Sequence, residues 1–175
     1  MVPGIGDSGP GHWQSRWQNA DPECVRVRMR DWDYPVCEEW VAAVEDAVRR
    51  LGPSTVLVAH SLGCLAVANW AARSPARVRG ALLVAVPDPG GPEFPTQANG
   101  FAVLPSRSLP FPATMVASSD DPYSSLDFAR GWASRWGCRL VEAGAAGHLN
   151  AASNLGDWPA GQALLRELRD AAAAT

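Results

Sequence analysis

The nine residues 55–63 (TVLVAHSLG) constrain the fold of this chain more than any other stretch. Residues 55–59 form an apolar run rich in β-branched side chains, which is typical of a buried strand, and a helical pattern begins at residue 62. Ser61 lies at the junction. A serine on such a sharp strand-to-helix turn is typical of a nucleophile elbow, in which the hydroxyl stands above the edge of a sheet. Ala59 replaces the first glycine of the usual Gly-x-Ser-x-Gly motif, and its single methyl group is the smallest possible departure.

Strands and helices alternate along the rest of the chain. Hydrophobic spacing predicts strands at 25–29, 55–59, 80–86, 114–117 and 139–142, and helices at 36–51, 62–73, 122–136 and 159–173. This alternation favours an α/β fold, with a mostly parallel sheet covered by helices on both faces. At 175 residues, 47% of them hydrophobic, the chain is expected to form a single domain over residues 1–175.

The first strand of such a sheet is expected to be truncated. Only residues 1–2 precede the turn residues Pro3 and Gly4, whereas strands usually have about five or six residues. A central strand of the sheet would then lack most of its length.

Composition excludes several classes of function. A net charge of −3 provides no basic surface for nucleic acid and no polybasic patch for a membrane. All fifteen basic residues are arginine, so Schiff-base chemistry on lysine and a Walker phosphate loop are excluded. The four cysteines show no metal-ligand spacing, and we expect no metal and no cofactor. Reduced thiols, no signal peptide and no apolar run of about 18 residues predict a cytoplasmic protein.

The segment 87–112 contains seven prolines and the pair Gly90-Gly91, so no regular element is expected to run through it. We interpret it as a crossover near the active-site mouth, because long connections inside compact domains are usually functional or mobile. A proline-stiffened surface loop without a catalytic role is an equal alternative.

A serine hydroxyl needs a base to become a nucleophile, and the chain offers three histidines. His148 directly follows the last predicted strand, in a loop of small residues that can bring the imidazole over the sheet edge. It is therefore the candidate base. His60 precedes Ser61 on the strand end, so its side chain is expected to pack elsewhere. His12 follows a glycine-rich loop, which it could cap or orient.

The base in turn needs a carboxylate that fixes its tautomer. Asp120 and Asp121 end a predicted strand, and Asp121 precedes a proline, which favours an extended backbone there. Asp121 is therefore the candidate acid, in the chain order serine, aspartate, histidine. The alternative is that both carboxylates only cap the following helix.

Two backbone amides are candidates for binding a developing oxyanion. Leu62 offers its amide at a helix N-terminus, where the helix dipole favours negative charge. Ile5 lies in the loop after the first strand and is the candidate for the second amide. The same loop, residues 4–9, matches G-x-G-x-x-G, and Asp31 follows the next strand, so dinucleotide binding is a less favoured alternative.

Short motifs spread over nearly the whole chain resemble one known family. They are residues 2–4 (VPG), 8–17 (SGPGHWQSRW), 59–63 (AHSLG), 94–95 (FP), 109–112 (LPFP), 118–123 (SSDDPY), 147–150 (GHLN) and 158–159 (WP). In these motifs, the chain resembles the small serine hydrolases related to retinoblastoma-binding protein 9, in the α/β-hydrolase superfamily.

The resemblance implies a three-layer sandwich with about six strands in the order 2-1-3-4-5-6, and a triad of Ser61, Asp121 and His148. The expected activity is cleavage of small carboxylic esters, with amides and thioesters as related substrates, through an acyl-enzyme. The expected partner is a small acyl substrate, without nucleic acid or membrane. The family name also implies an alternative, a protein-interaction module on a hydrolase scaffold.

Overall fold

Four parallel strands form the central sheet of the computed structural model, which describes residues 1–171. They are β1 (Val56–His60), β2 (Gly80–Val84), β3 (Ala113–Ala117) and β4 (Arg139–Glu142), in the spatial order β1-β2-β3-β4. Every residue of β2 and β3 is buried, as expected for strands covered on both faces. The helices are α1 (Trp13–Ala20), α2 (Cys37–Leu51), α3 (Leu62–Arg73), α4 (Leu126–Trp136) and α5 (Pro159–Ala171).

Two short segments extend this sheet beyond β1. Val2 exchanges two backbone hydrogen bonds with β1, at 2.8 and 3.0 Å. The Met1 ammonium donates to the Val25 carbonyl at 2.7 Å, and the Val27 amide donates to the Met1 carbonyl at 2.9 Å. The spatial order of the segments is thus 25–27, 1–2, β1, β2, β3 and β4, which corresponds to the expected order 2-1-3-4-5-6.

The predicted strand at 25–29 is the main departure from expectation. Its alternating pattern is present in the sequence, but the segment does not form a regular strand in the structure. The physical reason is the length of its neighbour, because only Met1 is available to pair with it. A strand needs a ladder of hydrogen bonds, and one residue supplies only two of them.

One predicted helix begins later in the structure than expected, and the predicted end of another is not tested. The helix predicted at 122–136 begins at Leu126, because the hydroxyl of Ser125 accepts a hydrogen bond from the Phe128 amide and caps the helix there. The last helix was expected to reach residue 173, and residues 172–173 lie outside the described part of the chain.

Side chains on the two faces of the sheet pack into two separate cores. On one face, Leu57, Leu83 and Met115 pack with residues of α2, α3 and α4. On the other face, alternate strand residues pack with the tryptophans of α1 and the leucines of α5. The three-layer α/β sandwich predicted from the sequence is therefore confirmed.

Candidate active site

Ser61 occupies the sharp turn between β1 and α3. Its backbone has φ +52° and ψ −128°, in a region that residues other than glycine rarely adopt. The Ser61 amide donates to the Val84 carbonyl at 2.9 Å, which fixes the turn against β2. The hydroxyl is thereby held at the edge of the sheet where the parallel strands end.

The structure brings Ser61, His148 and Asp121 together at this edge. His148 Nε2 lies 2.8 Å from Ser61 Oγ, and His148 Nδ1 lies 2.9 Å from both carboxylate oxygens of Asp121. A carboxylate can only accept, so the imidazole proton lies on Nδ1 and Nε2 is free to accept the serine proton. The side chains of His148 and Asp121 are 9% and 2% exposed, so water is largely excluded from the pair.

The adjacent carboxylates of Asp120 and Asp121 have different partners. Asp121 also accepts from the Tyr123 amide at 2.9 Å. Asp120 instead accepts from the Ser118 hydroxyl at 2.7 Å and from the Gly147 amide at 2.8 Å. These hydrogen bonds, that of Ser118 first, lower the pKa of Asp120. Neither carboxylate caps α4, so the interpretation of both as helix caps is wrong.

A cavity of about 180 Å³ opens beside Ser61 and His148. Both predicted oxyanion residues, Ile5 and Leu62, line it. A Cβ atom on Gly4 would lie 2.8 Å from the Cβ of Ser61, which shows how closely the loop carrying Ile5 passes the serine. Leu62 is the first residue of α3, so its amide lies at the positive end of the helix dipole.

The crossover segment 87–112 contributes to this cavity through two prolines. Pro87 and Pro95 both line it, and the segment contains no helix or regular strand. Asn99 forms one isolated bridge, with Val36. The path of the segment thus brings part of it to the mouth of the site.

Several contacts of the site were not expected from the sequence. His60 Nε2 lies 2.9 Å from the backbone carbonyl of His148, and the ring of Tyr123 lies 4.5 Å from the His148 imidazole between centroids. Trp158 lies away from this pocket wall and packs on Trp13 and Trp17 of α1. One sequence feature indicates that Tyr123 lies near the site: it follows Asp121 by two residues, with Pro122 between them. No local signal predicted the contact of His60, because its partner is 88 residues away.

The other two histidines of the chain are held neutral. Burial, followed by the charge of Arg26, lowers the pKa of His12 from 6.5 to about 4. Burial, followed by the neighbouring His148, lowers the pKa of His60 well below 6.5. His12 also serves as the N-cap of α1, because its Nδ1 accepts from the Gln14 amide at 3.1 Å.

The lowered pKa of His12 predicts acid destabilisation of the fold. Because the unfolded chain binds this proton more tightly, the contribution of neutral His12 is complete above pH 6.5 and is lost as the pH falls toward about 4. We expect His12 to account for a loss of about 2 kcal/mol in the free energy of unfolding between pH 8 and pH 5. Urea unfolding at the two pH values measures it.

The control for this prediction is His12→Asn, which keeps a cap acceptor for the Gln14 amide but does not titrate. Its unfolding free energy should fall by about 2 kcal/mol less than that of the wild type over the same pH interval. Equal losses in the two proteins would show that His12 does not titrate with folding.

Comparison with known proteins identifies the family. The family profile described as serine hydrolase matches residues 1–167 of this chain. The chain belongs to the serine hydrolase family. It is accordingly a hydrolase enzyme. No curated protein sequence matches it.

Solved structures agree with this assignment. A YdeN-like hydrolase from Pectobacterium atrosepticum is 32% identical, with a TM-score of 0.87 over 98% of this chain and 89% of that chain. The ydeN gene product of B. subtilis is 21% identical, with a TM-score of 0.78 over 95% of each chain. The RedJ thioesterase from the prodiginine pathway of Streptomyces coelicolor is 18% identical, with a TM-score of 0.66 over 96% of this chain and 87% of that chain. The last two show the fold alone, and together the three support the α/β-hydrolase fold.

Over residues 1–171, none of the helices has both the length and the apolar character needed to cross a bilayer. The same residues contain no group of three histidine, cysteine or acidic side chains that could hold a metal ion.

Proposed function

We propose that this hydrolase cleaves small carboxylic esters through an acyl-enzyme on Ser61, with His148 as general base and acid and Asp121 as its orienting carboxylate. One observation carries the proposal. A single buried imidazole lies within hydrogen-bond distance of the serine on one side, at 2.8 Å, and of the carboxylate on the other, at 2.9 Å. This is the arrangement that activates a serine for acyl transfer.

The reaction would proceed in two displacements. Ser61 Oγ attacks the carbonyl carbon of the ester while its proton moves to His148 Nε2. The negative charge that develops on the carbonyl oxygen is stabilised by the amides of Leu62 and Ile5. The ester C–O bond then breaks, and the leaving alcohol takes the proton from Nε2. A water molecule repeats the sequence on the acyl-enzyme and releases the carboxylic acid. Amides and thioesters would pass through the same tetrahedral intermediate.

The size of the cavity supports a small substrate. Its volume of about 180 Å³ is below the range of about 300–1,000 Å³ that is usual for sites of drug-sized ligands. Pro87 and Pro95 on its wall are rigid, which favours a short acyl group over a long chain.

Labelling with a fluorophosphonate tests the proposal, because such reagents form a covalent bond only with an activated serine. We expect one equivalent of label on the wild type, located on Ser61 by mass spectrometry, and none on Ser61→Ala. Ser119→Ala is the matched control, since this exposed serine follows β3 near the same sheet edge and should leave labelling unchanged.

Two results would contradict the proposal. Labelling that persists in Ser61→Ala would place the nucleophile elsewhere. Complete absence of labelling in well-folded wild type would favour the protein-interaction alternative. Saturable binding of a dinucleotide would favour the dinucleotide-binding alternative.

We also propose that the chain belongs to the branch of the family related to retinoblastoma-binding protein 9, and that it acts as one domain in the cytoplasm. The motifs at 8–17 and 118–123 support the branch, because they extend the resemblance well beyond the elbow. The four free thiols, two of them buried, are compatible with a reducing compartment.

A further inference from the structure

His60 connects the strand that carries the nucleophile to the backbone of the base. The residue is 5% exposed, and its Nε2 lies 2.9 Å from the carbonyl oxygen of His148. A carbonyl can only accept a hydrogen bond, so His60 must carry its proton on Nε2. The side chain of His60, the residue before Ser61, thus binds the backbone of residue 148.

We propose that His60 is a positioning residue, whose Nε2–H holds the main chain of residue 148 so that its imidazole bridges Ser61 and Asp121. The inference rests on the proposed function, since it concerns the geometry of that triad. His60 itself has no contact with the Ser61 hydroxyl or the Asp121 carboxylate among the hydrogen bonds of the described residues.

The loop that carries His148 needs anchoring because its sequence does not stiffen it. Gly144 and Gly147 both have positive φ, and residues 143–147 are glycine and alanine only. The side chains of Ser118 and Asp120 bind the amides of residues 146 and 147 on one side. The indole of Trp13 donates to the carbonyl of Leu149 on the other side, at 2.8 Å. Between these two anchors, His60 binds the carbonyl of residue 148 itself.

The surroundings of His60 keep it a neutral donor. Its ring faces His12 and His148, at 4.7 and 4.9 Å between centroids, and the edge of Trp13 at 6.2 Å. None of these groups is a carboxylate that would stabilise a charged imidazole. Burial lowers the pKa of His60 well below 6.5, so it does not compete with His148 for the proton of Ser61.

Two substitutions separate the hydrogen bond from the packing. In His60→Gln, the side-chain amide nitrogen can reach the former position of Nε2 and donate to the same carbonyl. In His60→Phe, an aromatic ring fills the space without a donor. We expect His60→Phe to lower kcat by about 10- to 100-fold with KM within about twofold, because a small displacement of a catalytic group is costly. His60→Gln should keep kcat within about threefold of the wild type.

The readouts are ester hydrolysis at saturating substrate and the rate of fluorophosphonate labelling, on variants whose melting temperatures are first recorded. A kcat that is retained in His60→Gln but lowered in His60→Phe supports the positioning role of His60. Equal losses in both variants, or an unchanged kcat in His60→Phe, would overturn it. Loss of labelling specificity for Ser61 in the wild type would instead contradict the proposed function, so the two failures are distinguishable.

A second measurement does not depend on the variants folding. In the ¹⁵N NMR spectrum of the wild-type histidine side chains, His60 should show the neutral tautomer with its proton on Nε2, from pH 8 to pH 6. Observation of the Nδ1–H tautomer or of a charged ring in this interval would overturn the inference.

Discussion

Asp121→Asn is expected to lower kcat by about 10⁴-fold while leaving the fold intact. The asparagine amide would donate to His148 Nδ1, which forces the imidazole proton onto Nε2. That nitrogen, 2.8 Å from Ser61 Oγ, could then no longer accept the serine proton. Turnover of a short-chain ester at saturating substrate, with the melting temperature as the check on folding, measures the effect.

Asp120→Asn is the matched control, because it makes the same chemical change one residue earlier. Asp120 contacts Ser118 and the amide of Gly147 rather than the imidazole, and an asparagine oxygen can still accept from both. Its kcat should stay within about tenfold of the wild type, since neither partner takes part in proton transfer. If the two variants lose activity to the same extent, the assignment of the acid to Asp121 is wrong.

The position of the Asp121 carboxylate illustrates what the sequence could predict. Ser61 directly follows β1, while Asp121 and His148 follow β3 and β4 within a few residues. In a parallel sheet the carboxyl ends of all strands lie on the same edge, so residues far apart in sequence must converge there. The choice between the two aspartates followed from the proline after Asp121, a local restriction on the backbone.

What the sequence could not predict depends on contacts between distant segments. The alternation at 25–29 is a genuine strand pattern, but whether a ladder forms depends on the length of the neighbouring segment, which offers only Met1. Asp120 and Asp121 are both of a residue type that favours helix N-caps. Tertiary contacts exclude them from that role, because the loop at 144–147 and His148 bind the two carboxylates, and Ser125 caps α4 instead.

The prediction with the largest effect on stability concerns Gly63, the last residue of the elbow motif. A Cβ atom there would lie 2.5 Å from the carbonyl oxygen of Pro3, and still closer to that of Val2. Both oxygens belong to backbone that cannot move away freely, because Val2 is paired with β1. We expect Gly63→Ala to lower the free energy of unfolding by about 3 kcal/mol or more, a large share of the 5–15 kcal/mol typical of a domain. Urea unfolding measures the change.

Gly131→Ala is the control, since it makes the same substitution inside α4 where a Cβ would meet no atom within 4 Å. Removing a glycine from a helix interior should raise the unfolding free energy by about 0.5–1 kcal/mol. The two variants should therefore shift stability in opposite directions. A mild effect of Gly63→Ala would mean that residues 2–3 can move away from the elbow. Because those residues lead directly into the loop of Gly4 and Ile5, such mobility would also remove the rigid support that the oxyanion amide of Ile5 requires.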